Sequence, residues 1–265
     1  MNTKAPYYLP ISNEIEIFSA AYKSRTPVLL KGPTGCGKTR FVEYMGWLLG
    51  NESNKGNYLK TISCHEDLTS TDLVGRFHLD ANGTKWIDGP LTAAVRDGCI
   101  CYLDEVVEAR KDTIVVIHAL TDHRRTLPIE KTGEIITAHD DFFLVISYNP
   151  GYQSSLKDLK HSTRQRFIAI EFGYPSMAQE KEIILKESKV EEETAERLSL
   201  LANKIRNLDE QNLLEGPSTR LLVYAGKLIK NGIDHRLACR IAIANSMTDD
   251  NTLIKGVEEV VDAVF

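Results

Sequence analysis

The run Gly32-Pro33-Thr34-Gly35-Cys36-Gly37-Lys38-Thr39 constrains this chain more than any other stretch. It fits the pattern G-x-x-x-x-G-K-[ST], in which glycines let backbone N–H groups turn inward around a phosphate. Pro27-Val28-Leu29-Leu30-Lys31 reads as a short buried strand before it, and a helix with Phe41, Met45 and Leu48 on one side follows. A strand feeding such a loop into a helix N-terminus gathers the positive end of the helix dipole, the Lys38 ammonium and the Thr39 hydroxyl at one point. Gly32, Pro33, Thr34, Gly35, Cys36, Gly37, Lys38 and Thr39 are therefore expected to bind a nucleotide, with Lys38 at the β/γ-phosphates and Thr39 on Mg²⁺.

The rest of the first two-thirds supports an α/β domain with a mostly parallel sheet, because short apolar runs alternate with helical patterns. Asn13 followed by Glu16 suggests a capping box opening a helix whose stripe is Ile15, Phe18 and Tyr22. Further strands are expected at Tyr58–Ser63, Ile100–Leu103, Phe142–Ser147 and Phe167–Phe172, making five with the first. Residues 113–117 are β-branched but lie between two buried strands that need a crossover, so they are read as helix. Two hairpins interrupt the rhythm: Arg76–Ile87 around Asn82-Gly83, and Thr126–Thr137 around Thr132-Gly133. After Tyr174-Pro175 helical periodicity takes over, carried by Leu198, Leu201, Ala202 and Ile205, then Leu221, Leu222, Ala225, Leu228 and Ile229, then Val257, Val260, Val261 and Val264. The expected organisation is an α/β nucleotide-binding core over residues 1–172 and a small all-helical domain over 173–265.

Several residues outside the loop carry matching chemistry. Asp104-Glu105 ends an apolar strand where open α/β sheets bind ligands. Asp104 is expected to hold Mg²⁺ through water, and Glu105 to polarise the attacking water as general base. Asn149, just past the fourth strand, could reach the γ-phosphate or that water. Ser162-Thr163-Arg164-Gln165-Arg166-Phe167 offers two candidates for an arginine finger inserted into a neighbouring subunit, Arg164 and Arg166. Arg220, in the first turn of a helix after Gly216-Pro217-Ser218, could reach the nucleotide and link its hydrolysis state to domain angle. Asn-Lys-x-Asp, the usual guanine reader, is absent, so ATP is preferred to GTP.

Composition closes other routes. Lys plus Arg total 32 against 37 for Asp plus Glu, a net charge of −5, which argues against a general polyanion binder. Five cysteines form no C-x-x-C pair and read as reduced core thiols. Cys64-His65-Glu66-Asp67 is ligand-rich, but adjacent positions cannot all face one metal, so a helix cap or polar turn is preferred. No apolar stretch approaches the roughly 20 residues that span a bilayer, and no secretory signal opens the chain, so a cytoplasmic protein without membrane insertion is expected.

Phosphate loop, Asp-Glu strand end, post-strand Asn, arginine pair and helical-domain arginine together resemble an AAA+ ATPase. The hairpin inserts are similar to those of the MoxR group, and long runs resemble its CbbQ/NorQ/NirQ branch. These are Leu29–Val42, Cys101–Arg110, the run Ser147-Tyr148-Asn149-Pro150-Gly151-Tyr152-Gln153, and Ser162–Phe167. The resemblance spans most of residues 1–172 and is most like CbbQ; over the helical domain its anchor is Gly216-Pro217-Ser218-Thr219-Arg220. The fold implied is an AAA+ P-loop NTPase core with a parallel five-stranded sheet and two β-hairpin inserts, plus a small all-helical lid. The resemblance further implies a homo-hexamer that hydrolyses ATP with Mg²⁺ and works with a von Willebrand factor A-domain adaptor of the CbbO/NorD kind. Its target would be Rubisco, freed of inhibitory sugar phosphates, or alternatively nitric oxide reductase in maturation. A nucleic-acid-dependent motor is more distant: the hairpins carry Phe77, His78, Trp86, Glu130 and Glu134 among few cations. Phe77 and Trp86 could instead contact an adaptor at a hairpin tip, or pack on their own domain.

Overall fold

The computed structural model describes residues 4–52, 58–81, 83–150, 159–208 and 216–265. Asn82 of the first hairpin turn and the Gly151-Tyr152-Gln153 part of the post-strand motif lie outside the described residues. Two compact units divide the chain. The first comprises Met1–Gly32 and Lys38–Glu171; the second comprises Pro33–Gly37 and Phe172–Phe265.

The first unit opens with α1 (Glu14–Lys23), β1 (Val28–Lys31), α2 (Lys38–Glu52) and β2 (Leu59–Ser63). Next come α3 (Ser70–Val74), β3 (Gly75–Asp80), β4 (Gly83–Asp88), α4 (Pro90–Asp97) and β5 (Ile100–Asp104). It closes with α5 (Lys111–Val115), β6 (Thr126–Ile129), β7 (Glu134–Thr137), β8 (Phe143–Tyr148), α6 (His161–Arg164) and β9 (Ile168–Glu171). The five expected core strands form one parallel sheet in the order β2-β5-β8-β1-β9. Strands in parallel array need crossovers and are covered on both faces, which is why β8 is buried at every position. Register places Lys31 of β1 opposite Tyr148 of β8, and Leu103 of β5 opposite Ile146. The carboxyl ends of these three strands therefore lie side by side, and Gly32, Glu105 and Asn149, which directly follow them, leave the sheet at the same edge.

Aromatic contacts tie the flanking helices to that sheet. Phe18 of α1 meets Phe41 of α2 edge-on with ring centroids 5.3 Å apart, and Phe143 of β8 at 5.2 Å. The α1 start differs from the expected capping box: Asn13 makes no side-chain cap bond. Glu14 reaches back instead, accepting from the Tyr8 hydroxyl at 2.5 Å and from the N–H groups of Ile11 and Ser12 at 2.8 and 2.7 Å. Its carboxylate satisfies the incoming chain, so the box partner Glu16 is left exposed. On α2 the buried stripe is Phe41, Val42, Met45, Gly46 and Leu49, with Leu48 only half-buried. Gly46 sets this rotation, because a Cβ there would lie 3.0 Å from Leu59 Cβ on β2.

The first hairpin, β3–β4, leaves from the end of α3 and rejoins the chain at α4. Gly75 makes the exit with φ of 139°, and a Cβ there would stand 2.5 Å from the Ile87 carbonyl oxygen. Thr92 Oγ1 then bonds the Val74 carbonyl at 2.6 Å, stitching α4 back onto α3. Phe77 and Trp86 are directly cross-strand, their rings 5.1 Å apart, and Trp86 Nε1 donates to Asp88. They lie down the ribbon from the Asp80–Gly83 closing pair, so they pack on each other away from the tip. The second hairpin, β6–β7, turns at Gly133 as expected. Arg96 of α4 holds both hairpins, donating to Asp88 at 2.9 Å and to Glu134 at 2.7 Å. Of residues 113–117, the first three lie in α5, and Val116 and Ile117 follow it as a turn with right-handed helical backbone angles. At Cys64-His65-Glu66-Asp67 the chain makes a turn, with Leu68 N–H on the His65 carbonyl; the cap of α3 comes from Thr69 and Asp72.

The second unit is helical after its strand-leaving segment: α7 (Met177–Ser188), α8 (Glu192–Leu208), α9 (Thr219–Lys230), α10 (His235–Cys239), α11 (Asn245–Met247) and α12 (Asn251–Val264). A π-helical turn at Arg240–Ala244 joins α10 to α11. Leu198, Leu201, Ala202, Ile205, Leu222, Ala225, Val257 and Val261 form its core together with Ile184 and Ile243. No helix among the described residues is long and apolar enough to cross a membrane.

Candidate active site

The phosphate-loop sequence connects β1 to α2 through Gly32, Gly35 and Gly37, whose φ values are 155°, 68° and 101°. At Gly35 the requirement is double. Its φ disfavours any Cβ, and a Cβ would lie 2.7 Å from Ser218 Cβ and 3.3 Å from Arg220 Cβ, all within the second unit. Cys36 is buried, Pro33 half-buried and Thr34 exposed.

α2 begins at Lys38, so the first-turn N–H groups and the dipole of a 15-residue helix face the loop. The Lys38 Nζ donates to the Gly32 carbonyl at 2.7 Å and to Asn149 Oδ1 at 2.6 Å, with the residue only 7% exposed. Thr39 Oγ1 donates to Asp104 Oδ2 at 3.0 Å. Loop, α2, the end of β5 and the end of β8 thus bring Lys38, Thr39, Asp104 and Asn149 into one hydrogen-bonded group.

Two residues that the sequence reading did not single out complete the carboxylate's surroundings. Asp104 Oδ1 accepts from the Tyr102 hydroxyl at 2.7 Å and from Ser147 Oγ at 2.5 Å. Ser147 also accepts the Glu105 N–H at 3.1 Å. Glu105 sits in the left-handed region, φ 55° and ψ 47°, which projects its exposed side chain beyond the strand end. Burial, and then the charge of Asp104, push the Tyr102 phenol far above its ordinary range, so it stays a donor. Burial likewise raises the Cys64 thiol to about 12, with Asp104 and Glu105 adding to it, which removes Cys64 as a nucleophile. The signal for Tyr102 and Ser147 was cross-strand: Tyr102 pairs with Val145, one strand over, two positions before Ser147.

The arginine pair lies in a separate group. Arg164 closes α6 and is half-buried. Arg166 Nη1 donates to the His118 carbonyl at 3.4 Å and lies 3.8 Å from Asp122 Oδ2. His118 Nε2 and Thr163 Oγ1 are 3.2 Å apart; burial, then Arg166 and Lys160, lower the imidazole's affinity for a proton. Arg220 is exposed in the first turn of α9, one residue after Thr219 and beside Gly35.

The donor set suits Mg²⁺, since a threonine hydroxyl and a carboxylate are hard oxygen ligands that leave room for water. The glycine turn, helix N-terminus and Lys38 suit phosphate. Among the described residues no cluster of three or more His, Cys, Asp or Glu side chains could hold a metal by itself.

Residues 27–167 match the AAA domain (dynein-related subfamily), and residues 180–264 match the CbbQ/NirQ/NorQ C-terminal family. Protein CbbQ of Hydrogenophilus thermoluteolus is 56% identical over 260 residues, covering 98% of this chain and 95% of that protein. Protein NorQ of Paracoccus denitrificans is 52% identical over 98% of this chain and 94% of its own length. The denitrification regulatory protein NirQ of Pseudomonas aeruginosa is 51% identical over 99% and 98%. Among solved structures, a mutant of Thermotoga maritima RuvB superposes with a TM-score of 0.56 at 16% identity, covering 96% of this chain and 71% of that one, a likeness of fold.

Proposed function

The chain belongs to the CbbQ/NirQ/NorQ family of AAA+ ATPases, and from that premise we propose that it hydrolyses Mg-ATP to remodel a target enzyme. The observation that carries the ATPase reading is the hydrogen-bonded group of Lys38, Thr39, Asp104 and Asn149 at the carboxyl ends of adjacent strands. Residues 1–172 act as the nucleotide-binding core and 173–265 as the helical lid.

Gly32 to Thr39 would hold the phosphates, and Thr39 with Asp104 the Mg²⁺. Bound Mg-ATP would supply an electrophilic γ-phosphoryl group. Asp104, held on one oxygen by Tyr102 and Ser147, keeps its other oxygen toward Thr39 and the ion site. Glu105 accepts the proton of the attacking water at its exposed carboxylate. Asn149 orients that water or the γ-phosphate while sharing Lys38. Arg164 or Arg166 serves as the finger for the neighbouring subunit of a homo-hexamer, a contribution worth about 10³–10⁵ in rate. Arg220 adds a cation beside Gly35. Glu105→Gln should bind Mg-ATP like the wild type and lose roughly 10²–10⁴ in turnover; hydrolysis near the wild-type rate would remove the base assignment.

The target we propose is Rubisco in the cytoplasm, with a von Willebrand factor A-domain adaptor, following the resemblance to CbbQ. Sugar-phosphate-inhibited Rubisco should recover carboxylation with the purified protein, its adaptor and ATP. Absence of recovery, with ATP-dependent activation of nitric oxide reductase instead, would move the assignment to the NorQ and NirQ side of the family.

A further inference from the structure

Within the second unit, one buried ion pair holds the segment that leads into α9. Glu180 of α7 has a side chain only 1% exposed, and Arg206 of α8 is 14% exposed. Arg206 Nη1 and Nη2 donate to the two oxygens of Glu180 at 3.0 and 2.8 Å, a fork-to-fork pair. The same guanidinium also donates to the Pro217 carbonyl, from Nε at 3.0 Å and Nη2 at 2.6 Å. Its carbon lies 3.9 Å from the centre of the Tyr174 ring, whose hydroxyl bonds the Gly216 carbonyl at 3.0 Å. Glu180 in turn accepts the Thr219 hydroxyl at 2.7 Å, in the first turn of α9.

Beyond the two bonds that join Arg206 to Glu180, these bonds end on Gly216, Pro217 or Thr219, the residues on either side of Ser218 and just before Arg220. Ser218 and Arg220 are the side chains that stand over Gly35 of the phosphate loop. An ion pair placed only to stabilise a helix bundle has no need to bind, through two nitrogens, a carbonyl of a connecting segment. Desolvating two charges is costly, and apolar residues of similar volume would stabilise the bundle as well. What the pair supplies is a fixed geometry at the start of α9.

We propose that the Glu180–Arg206 pair is a positioning clamp that sets Arg220 against the phosphate loop, so that Arg206 controls nucleotide affinity through Arg220 without touching the nucleotide. This rests on the reading that the loop binds Mg-ATP and that Arg220 faces its phosphates.

The test is a double-mutant cycle on the full chain with Mg-ADP as the probe, its affinity measured by calorimetry alongside urea unfolding. Arg206→Lys keeps the charge facing Glu180 but loses the fork that reaches both carboxylate oxygens and Pro217 at once. It should weaken Mg-ADP binding roughly tenfold in the wild-type background, about 1.4 kcal/mol, and leave binding unchanged where Arg220 is already alanine. An equal loss in both backgrounds, or none in either, overturns the clamp. If Arg220→Ala alone binds Mg-ADP like the wild type, the role of Arg220 fails and the clamp falls with it; if no variant or wild type binds Mg-ADP, the nucleotide reading itself has failed. Should Arg206→Lys not fold, Thr219→Val removes one hydroxyl bond to Glu180 at nearly constant volume and is put through the same cycle, with the same outcomes deciding.

Discussion

Ser147→Ala removes one oxygen and should disturb both carboxylates of the site. Ser147 is fully buried, donates to Asp104 Oδ1 at 2.5 Å and accepts the Glu105 N–H at 3.1 Å. Asp104 keeps the Tyr102 and Thr39 hydroxyls, so that loss amounts to about 1 kcal/mol, while the stranded Glu105 N–H costs about 1–2 kcal/mol more. The first unit should therefore lose about 2–3 kcal/mol. The chain has two tryptophans, Trp47 and Trp86, and both belong to the first unit, so urea unfolding followed by their fluorescence reads that unit alone. Function should fall further than stability explains. The left-handed conformation of Glu105 costs roughly 1–2 kcal/mol for a residue with a Cβ, and once the serine bond is gone the backbone relaxes and carries the base away. Turnover of ATP should drop at least about tenfold, with Mg-ADP affinity little changed. Tyr102→Phe is the control, since it removes a bond to Asp104 and none to Glu105; it should lower stability with a smaller loss of turnover. A Ser147→Ala protein within about 0.5 kcal/mol of wild type and within twofold in turnover would refute this account of how Glu105 is held.

Gly35→Ala combines an unfavourable φ of 68° with a Cβ 2.7 Å from Ser218, so Mg-ADP binding should weaken by more than about tenfold while tryptophan-detected urea stability stays put. If Arg164 or Arg166 acts on the neighbouring subunit, mixing inactive Ala variants of that arginine with an inactive Lys38→Ala protein should restore part of the ATPase activity; intact oligomers that never recover at any ratio exclude it. Burial opposes the charge of Glu14, yet the Tyr8 hydroxyl and the N–H groups of Ile11 and Ser12 outweigh it and hold the carboxyl below its ordinary 4.5. Its stabilising effect is present above that value and lost as pH falls through the lower folded one, so Glu14→Gln should lower neutral-pH stability and flatten the acid side of the stability profile.

The legible parts of this fold are those in which one local segment carries the whole signal. The phosphate loop was readable because its glycines, lysine and threonine are contiguous and sit between an apolar strand and an amphipathic helix. The strands were readable as short apolar runs, and the β3–β4 hairpin as a turn signal between two alternating segments. The capping box at Asn13 misled because the satisfying carboxylate, Glu14, works on residues before the helix, a direction that helix-start patterns ignore. α7 was silent for a related reason. Its buried positions Glu180, Ile184 and Ser188 follow the helical period, but two of the three are polar, so the apolar stripe is broken where the ion pair enters.

Residues that position other residues share a feature that explains why they were missed. Ser147 meets Asp104 across 43 positions because β5 and β8 are neighbours in the sheet, and Arg206 meets Glu180 across 26 because α7 packs on α8. Strand order and helix pairing are properties of the finished fold, and no short window of sequence contains them. The residues expected to touch phosphate could be named from type and spacing, because their chemistry is constrained by a ligand of fixed shape. Their supports are constrained only by the shell that the fold closes around them, and a serine or a glutamate can serve there without any local mark. Substitutions at such supports should therefore separate affinity from turnover according to which ligand-facing residue they hold: Ser147 acts through Glu105 on turnover, and Arg206 through Arg220 on affinity.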